Sequence, residues 1–384
     1  MIARRITPHL TELLRYYPIV SLSGPRQAGK TTLLRWQFPD LPYVSLEDPD
    51  ERRFAVSDPR LFLDNYPNGA ILDEAQQVPH LFSYLQTRVD ANKHLRFLLS
   101  GSQNFLLMEK VTQSLAGRVG LLNLLPLSLD ELPAADLQTW MWKGGFPAIY
   151  DRETPPRLFF PNYLQTYLER DVRLLKNVGN LLDFERFMRL CAGRAGQLLN
   201  LSGLASDAGV SVNTAKAWLA VLEASFAVFL LAPYHDNFNK RLMKMPKLYF
   251  YDTGLLTYLL NIEQPNQVGT HFAVGHIFEN LVVAELTKQW LHAGERPQFY
   301  FFRDSNGNEV DLLVVTGGKI FAVEIKYGKT INANFFKGLG YWSKLSGSPP
   351  EQCFLVYGGE AASVRSEGTV IPWQQMAGFR ERLL

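Results

Sequence analysis

The chain has almost no cysteine: Cys191 and Cys353 are the only two in 384 residues, with no paired spacing for zinc. That excludes a disulfide framework and fits a reducing cytoplasm, with both thiols read as small buried hydrophobes. Long apolar runs are also lacking. The strongest, residues 226–232, falls far short of the roughly 20 residues a membrane span needs, so a soluble, cytoplasmic protein is expected. No apolar targeting segment is read at the N-terminus, where Arg4, Arg5, Glu12 and Arg15 interrupt leucines at helical spacing and predict an amphipathic helix. Nor does one sign of charge dominate: 39 Lys and Arg against 37 Asp and Glu leave a net +2, so any basic surface must be local. Internal repeats and low-complexity tracts are missing.

What is present suffices for a large buried interior. Hydrophobic residues make up 47% and charged residues 20%, the balance of a globular chain. At roughly 150 residues per domain, two or three packed units are expected. Short apolar strands at 19–22, 43–46, 70–72 and 97–99 alternate with helical segments, which predicts an α/β layer with a mainly parallel sheet. In such a layer the ligand site lies at the carboxyl ends of the strands.

The first of these strands runs into Gly24-Pro25-Arg26-Gln27-Ala28-Gly29-Lys30-Thr31, a P-loop pattern followed by a predicted helix that begins at Thr31 and Thr32. Backbone N–H groups of such a loop converge on phosphates, Gly29 permits close approach, and Lys30 supplies a point charge. Thr31 is read as a Mg²⁺ ligand. A later apolar strand ends in Asp73-Glu74, where Asp73 is expected to hold the Mg²⁺ shell and Glu74 to polarise the attacking water. Together they point to binding and hydrolysis of ATP with Mg²⁺. Ser100-Gly101-Ser102-Gln103 lies beside the γ-phosphate if its strand neighbours the P-loop strand; a polar loop with a capping serine is the other reading. Arg118 is read either as an arginine finger, in its own site or across a subunit boundary, or as a surface arginine.

The runs 24–32, 72–76, 99–102, 116–118 and 126–128 together resemble prokaryotic AAA-type ATPases of the AAA_14 group. The similarity continues through Gly144-Gly145-Phe146-Pro147, the segment 167–171 and Tyr251-Asp252-Thr253-Gly254-Leu255 into a partner called domain of unknown function 4143, and so covers nearly the whole chain. The resemblance implies an ATP-binding protein with a winged-helix-like middle and a nuclease-like C-terminal unit. On it rests the ATP-site assignment of Gly24, Pro25, Arg26, Gln27, Ala28, Gly29, Lys30, Thr31, Thr32 and Ser102, with Arg118 at the family's arginine position.

Two further segments bear on nucleic acid. Ser202 is predicted to cap a helix to Ala208, Gly209 to turn the chain, and Ser211 to cap a second helix. Ala215, Trp218, Leu219 and Leu222 would face inward, leaving Val212, Asn213, Thr214 and Lys216 outside as in a DNA-reading helix. The segment 234–249 then collects Lys240, Arg241, Lys244 and Lys247 against Asp236, the best candidate for phosphate-backbone contact. A packing module is the alternative.

Asp311 lies on one predicted strand (309–315), and Glu324 and Lys326 share a face of the next (320–325 and Lys326). Two carboxylates and a lysine brought together there would bind Mg²⁺ through Asp311 and Glu324 and attack a phosphodiester, with Lys326 stabilising developing charge. These residues resemble the PD-(D/E)xK restriction-endonuclease family, and the helical Glu279 matches the acid that precedes the pair there. An inactive ion-pair cluster is the other reading.

The expected organisation is an AAA-type P-loop ATPase domain (1–135), a helical connector (136–198), a winged-helix-like domain (199–264) and a restriction-endonuclease-like α/β domain (265–384). The leading expectation is an ATPase acting on DNA, possible as a homo-oligomer and with no membrane partner. The alternatives are a nucleotide-dependent switch with a silent C-terminal domain and a DNA-binding transcription regulator.

Overall fold

The computed structural model describes residues 2–101, 114–132, 135–167, 181–234 and 244–384. It divides into two compact units. One comprises Met1–Leu127 with Ala224–Phe226 and Leu291–Glu295; the other comprises Ser128–Glu223, Ala227–Trp290 and Arg296–Leu384.

In the first unit, β1 (Ile19–Ser23), β2 (Tyr43–Ser45), β3 (Ile71–Asp73), β4 (Phe97–Gly101) and β5 (Val119–Asn123) form one sheet in the order β2-β3-β4-β1-β5. Every pairing is parallel. Strand alternation divides the side chains between two faces. Ile19, Leu72, Phe97 and Leu99 enter one core, with Phe62 from the helix Pro59–Asp64 and Phe82 and Leu85 from the helix Leu81–Ala91. Val20, Leu22, Ile71 and Leu98 enter the other, against Leu10 and Leu14 of the helix Thr7–Tyr16 and Leu33 and Leu34 of the helix Lys30–Gln37. Burial on both faces is why β1 and β4 are buried throughout and read as apolar runs. Because the strands run one way, the residues that follow β1, β3 and β4 gather at a single edge.

The second unit is helical at first, then built on a sheet. The helices are Leu137–Lys143, Pro147–Asp151, Pro156–Tyr167, Leu181–Ala192, Leu201–Ala208, Val212–Ala224 and Thr253–Leu259, and the 19-residue Val274–His292 follows. An eight-stranded mixed sheet takes in β6 (Val228–Pro233), β7 (Lys247–Phe250), β8 (Phe299–Arg303), β9 (Glu309–Thr316), β10 (Lys319–Lys326), β11 (Cys353–Tyr357), β12 (Ser363–Arg365) and β13 (Gly368–Pro372). Its order is β12-β13-β11-β10-β9-β8-β6-β7. Strands from the middle stretch, β6 and β7, thus lie at one edge of the sheet that carries the last segment. Among the described residues no helix is long and apolar enough to cross a membrane.

The helix-turn-helix forms with one change. Asn200, rather than Ser202, caps the first helix by accepting the Gly203 N–H at 3.0 Å, while Ser211 Oγ accepts the Thr214 N–H at 3.1 Å as expected. Both types cap well, and the chain folds with the one that stands before the first turn. Ala215, Trp218, Leu219 and Leu222 are buried, with the Trp218 ring edge-on to Phe184 and Phe187; Val212, Asn213 and Lys216 are exposed and Thr214 half-buried.

Two of the family-like motifs prove to hold one another. Asp252 caps the helix Thr253–Leu259 by accepting the Leu255 N–H at 2.9 Å, and its second oxygen accepts the Gly145 N–H at 2.7 Å. Gly144 has φ of 65°, and a Cβ there would stand 2.3 Å from Asp252 Oδ1. Only glycine meets both conditions. The segment 168–171 lies outside the described residues.

Candidate active site

The phosphate loop connects β1 to the helix Lys30–Gln37, with Gly29 as the residue before the helix at φ of 92°. That left-handed turn is open to glycine at no steric cost and lets the loop fold back over the helix N-terminus. The Lys30 side chain is buried and donates to the carbonyls of Gly24 and Pro25, both at 2.8 Å. A lysine held across its own loop sits where phosphate oxygens would replace those carbonyls. The Gly24, Pro25, Arg26, Gln27, Ala28 and Thr32 positions all fall on this loop or on the first turn of its helix.

Asp73, at the carboxyl end of β3, gathers the site. Its Oδ2 accepts from Thr31 Oγ1 at 2.9 Å and from Tyr43 Oη at 2.9 Å, and its Oδ1 accepts from Ser100 Oγ. Strands β2, β3 and β4 and the first turn of the helix Lys30–Gln37 therefore meet on one carboxylate. The condition set for the 100–103 stretch is met, since β4 neighbours β1 and Ser100 pairs with Leu22; Ser102 itself lies outside the described residues. Adjacent hydroxyl and carboxylate oxygens are the hard donors that suit Mg²⁺, which takes few protein ligands and completes its shell with water and phosphate. Thr31 and Asp73 fit that ion.

Glu74 follows in the left-handed region, with φ of 53° and ψ of 44°. Burial pushes its carboxyl above the ordinary range, against the charges of Arg26 and Lys30. Gln76 Nε2 donates to Glu74 Oε2.

Three residues here carry roles that the linear pattern did not assign. Arg4 is buried and clamps two carbonyls, Nη1 to Ala28 at 2.7 Å and Nη2 to Leu125 at 2.6 Å, which braces the phosphate loop from outside. Tyr43 reaches Asp73 across the sheet, and no sequence signal announces that. Gln76 stands two places after Glu74 in a tight turn, a hint that goes unused without the fold.

Arg118 does not join the site. It immediately precedes β5, its carbonyl accepting the Ile19 N–H at 3.2 Å, and its guanidinium binds Asp90 at 2.7 and 2.8 Å. That is the amino end of the sheet. Four steps along β1 at about 3.3 Å each place it ~13 Å from the strand's far end, where the loop begins. In this fold the guanidinium is engaged at Asp90 and not at the phosphate loop.

In the second unit, Asp311, Glu324 and Lys326 do come together. Lys326 Nζ lies 3.1 Å from Asp311 Oδ2 and 2.6 Å from Glu324 Oε1, while the Ile325 N–H donates to Asp311 at 2.8 Å. Burial and the neighbouring Asp311 push the Glu324 carboxyl up to about 8, and the Lys326 ammonium, though burial opposes it, is held above its ordinary range by both acids. Glu279 makes its bonds elsewhere: to Lys247 Nζ at 2.9 Å and Tyr249 Oη at 2.5 Å. Lys247 also holds Glu309 at 2.5 Å, and Arg303 holds Glu309 at 2.8 Å. Among the described residues no three His, Cys, Asp or Glu side chains are gathered for a metal ion. Where Mg²⁺ is expected between Asp311 and Glu324, the Lys326 ammonium bridges the two carboxylates in this fold.

The basic segment also differs from expectation. Lys240 and Arg241 lie outside the described residues, and Lys244 is exposed. Lys247 is buried between two carboxylates, because it lies on β7, a strand buried at every position, and is not available to a phosphate backbone.

Comparison with known proteins finds matching family models and sequence relatives. A family model described as an AAA domain (AAA_14) matches residues 16–133, and two described as domains of unknown function match residues 134–266 (DUF8612) and 274–376 (DUF4143). Uncharacterised proteins of Mycobacterium tuberculosis and Mycobacterium bovis are each 32% identical over 333 residues, spanning 85% of this chain and 74% of theirs. Among solved structures, a Walker-type ATPase of Pyrococcus abyssi is 15% identical with a TM-score of 0.45, over 68% of this chain and 96% of its own. A STAND ATPase of Pyrococcus horikoshii is 11% identical with a TM-score of 0.25, over 75% of this chain and 46% of its own. On its sequence relatives and its phosphate loop, the chain belongs to the AAA-type ATPases that join an AAA_14 domain to a C-terminal DUF4143 domain.

Proposed function

We propose that the chain hydrolyses Mg·ATP on the Lys30 loop and uses the nucleotide cycle as a switch on a macromolecular partner, with a C-terminal unit that binds rather than cuts. The observation that carries the reading is the meeting of Thr31 and Asp73 beside a lysine folded across its own loop. On binding, Lys30 exchanges two carbonyls for phosphate oxygens, and backbone N–H groups of the loop after Pro25 face the charge. Mg²⁺, held by Thr31 and Asp73, supplies electrostatic screening of the phosphates. Glu74 then receives the proton of the attacking water, and burial, which favours its neutral form, suits it to that task. Arg118, too far along the sheet to serve its own site, is assigned to the triphosphate of a second copy.

The ion network supports a C-terminal unit that binds and does not cut. Asp311 and Glu324 already share Lys326, and Glu279 is engaged by Lys247. Nucleic acid is still the macromolecule to try first, since Val212, Asn213 and Lys216 stand exposed at the start of the second helix of the turn. One tube tests all of this: ATP turnover with and without DNA, with DNA integrity followed alongside in Mg²⁺ or Mn²⁺. Turnover is expected in the native chain and lost in Lys30→Ala, with supercoiled and linear DNA left intact. Cleavage that disappears in Lys326→Ala would overturn the non-cutting assignment, and no turnover in the native chain would overturn the rest.

A further inference from the structure

We infer that Gln76 is a positioning residue for hydrolysis: its amide N–H holds the Glu74 carboxylate, and its amide oxygen is a second acceptor for the water that Glu74 deprotonates. The inference rests on the ATP-hydrolysis reading above and names a residue that this reading does not use. Gln76 lies on the short 3₁₀ turn Ala75–Gln77 that leaves β3, two residues beyond Glu74. It is buried to all but 8% of its surface, an uncommon setting for glutamine. Its Nε2 donates to Glu74 Oε2. A carboxylate only accepts, so the amide must present nitrogen to it, which turns the oxygen away.

That oxygen, Gln76 Oε1, is buried and receives no hydrogen bond among the described residues. Buried polar atoms nearly always find partners, and the exceptions concentrate where a water or ligand is still to come. Oxygen and nitrogen share one carbon, so the orphan acceptor lies within a single water's reach of the Glu74 carboxylate. A water attacking phosphorus has two protons to place. One passes to Glu74 and the other needs an acceptor that fixes the lone pair's direction, which Oε1 provides. Glu74 is itself held with φ of 53°, a backbone state that non-glycine residues keep where the surroundings enforce it. In the balanced step, the water oxygen forms the new bond to the γ-phosphorus and the bond from that phosphorus to the bridging oxygen breaks. The electron pair leaves with ADP, the proton goes to Glu74, and Gln76 contributes hydrogen bonds alone.

The test is a double-mutant cycle on the full chain, with ATP turnover and Mg·ATP affinity both measured for native, Gln76→Leu, Glu74→Gln and the double variant. Glu74→Gln should lower kcat by roughly 10²–10⁴-fold, the usual worth of a general base. Gln76→Leu should lower kcat at least about tenfold with Kd for ATP within about twofold of native, and should cost less than about threefold more once Glu74 is Gln, because groups acting as a unit are not additive. Gln76→Glu, nearly isosteric but without the donor, should behave like Gln76→Leu; its retained affinity reports an intact fold. Native kcat in Gln76→Leu, a fall that multiplies with that of Glu74→Gln, or a loss of affinity in step with kcat in both Gln76 variants would each overturn the assignment. A native chain that binds no ATP would overturn the hydrolysis reading itself, and this inference with it; a native chain that turns over beside an indifferent Gln76 overturns this inference alone.

Discussion

Mixing two inactive variants should restore ATP turnover. Lys30→Ala loses the phosphate grip but keeps Arg118, whereas Arg118→Ala keeps an intact loop and lacks the guanidinium. Each alone is expected to fall by about 10³-fold or more, the range in which an arginine supplied to the transferring phosphate is worth 10³–10⁵. When the two are combined, a Lys30→Ala subunit presents its Arg118 to the sound loop of its neighbour, and activity should recover to a sizeable fraction of native. This arrangement is proposed because Arg118 sits at the amino end of β5 while the loop leaves the carboxyl end of β1. At rest the guanidinium is tied to Asp90 by two bonds, an exposed pair that a phosphate can displace at little cost. Recovery measured against total protein concentration also reports the assembly. If Arg118→Ala hydrolyses ATP at the native rate, the arginine is a surface residue; if the mixture stays as inactive as its components, subunits do not share their sites.

The second large effect concerns folding and not turnover. Lys247→Ala should destabilise the second unit by about 3–5 kcal/mol, the cost of leaving buried carboxylates without their cation. Two of them depend on it: Glu279, whose other basic neighbour among the described residues is His276 at 3.9 Å, and Glu309, which retains Arg303. Total stabilities are on the order of 5–15 kcal/mol, so the shift takes a large part of the margin. Lys244→Ala, three residues earlier and exposed, should stay within about 0.5 kcal/mol of native. Urea midpoints followed by fluorescence separate the two readings of this stretch. A lysine kept for phosphate contact would change DNA affinity and its salt dependence while leaving the midpoint in place.

Lys247 also shows where reading a chain in one dimension stops. Four cations in a short stretch suggest a basic patch, yet the strand Lys247-Leu248-Tyr249-Phe250 is buried throughout, and the lysine's partners come from residues 32 and 62 places later, Glu279 and Glu309. The phosphate loop is legible for the opposite reason. Its chemistry is local: a strand, a glycine-rich turn and a helix N-terminus adjoin in sequence as they do in space, and Asp73-Glu74 is marked by the apolar strand before it. Strand periodicity marks β1 to β4, β9 and β10 as well but not β5, β6 or β7, and the 3.6-residue spacing marks the inward face of the second helix of the turn. Tyr43 and Arg4 were not legible, since each acts through a partner 24 or more positions away that only the register of the sheet or the path of the loop brings near. The Asp311, Glu324 and Lys326 group was foreseen as a cluster. Whether an ammonium or a metal would neutralise it depends on a distance that no pattern encodes.

The clamp from Arg4 onto Ala28 and Leu125 has a practical consequence for anyone producing the protein. Proteolytic trimming or any shortened version that removes Arg4 would take that guanidinium away. Two carbonyls beside the nucleotide would then lose their donor, and a sluggish preparation could be mistaken for an inactive enzyme.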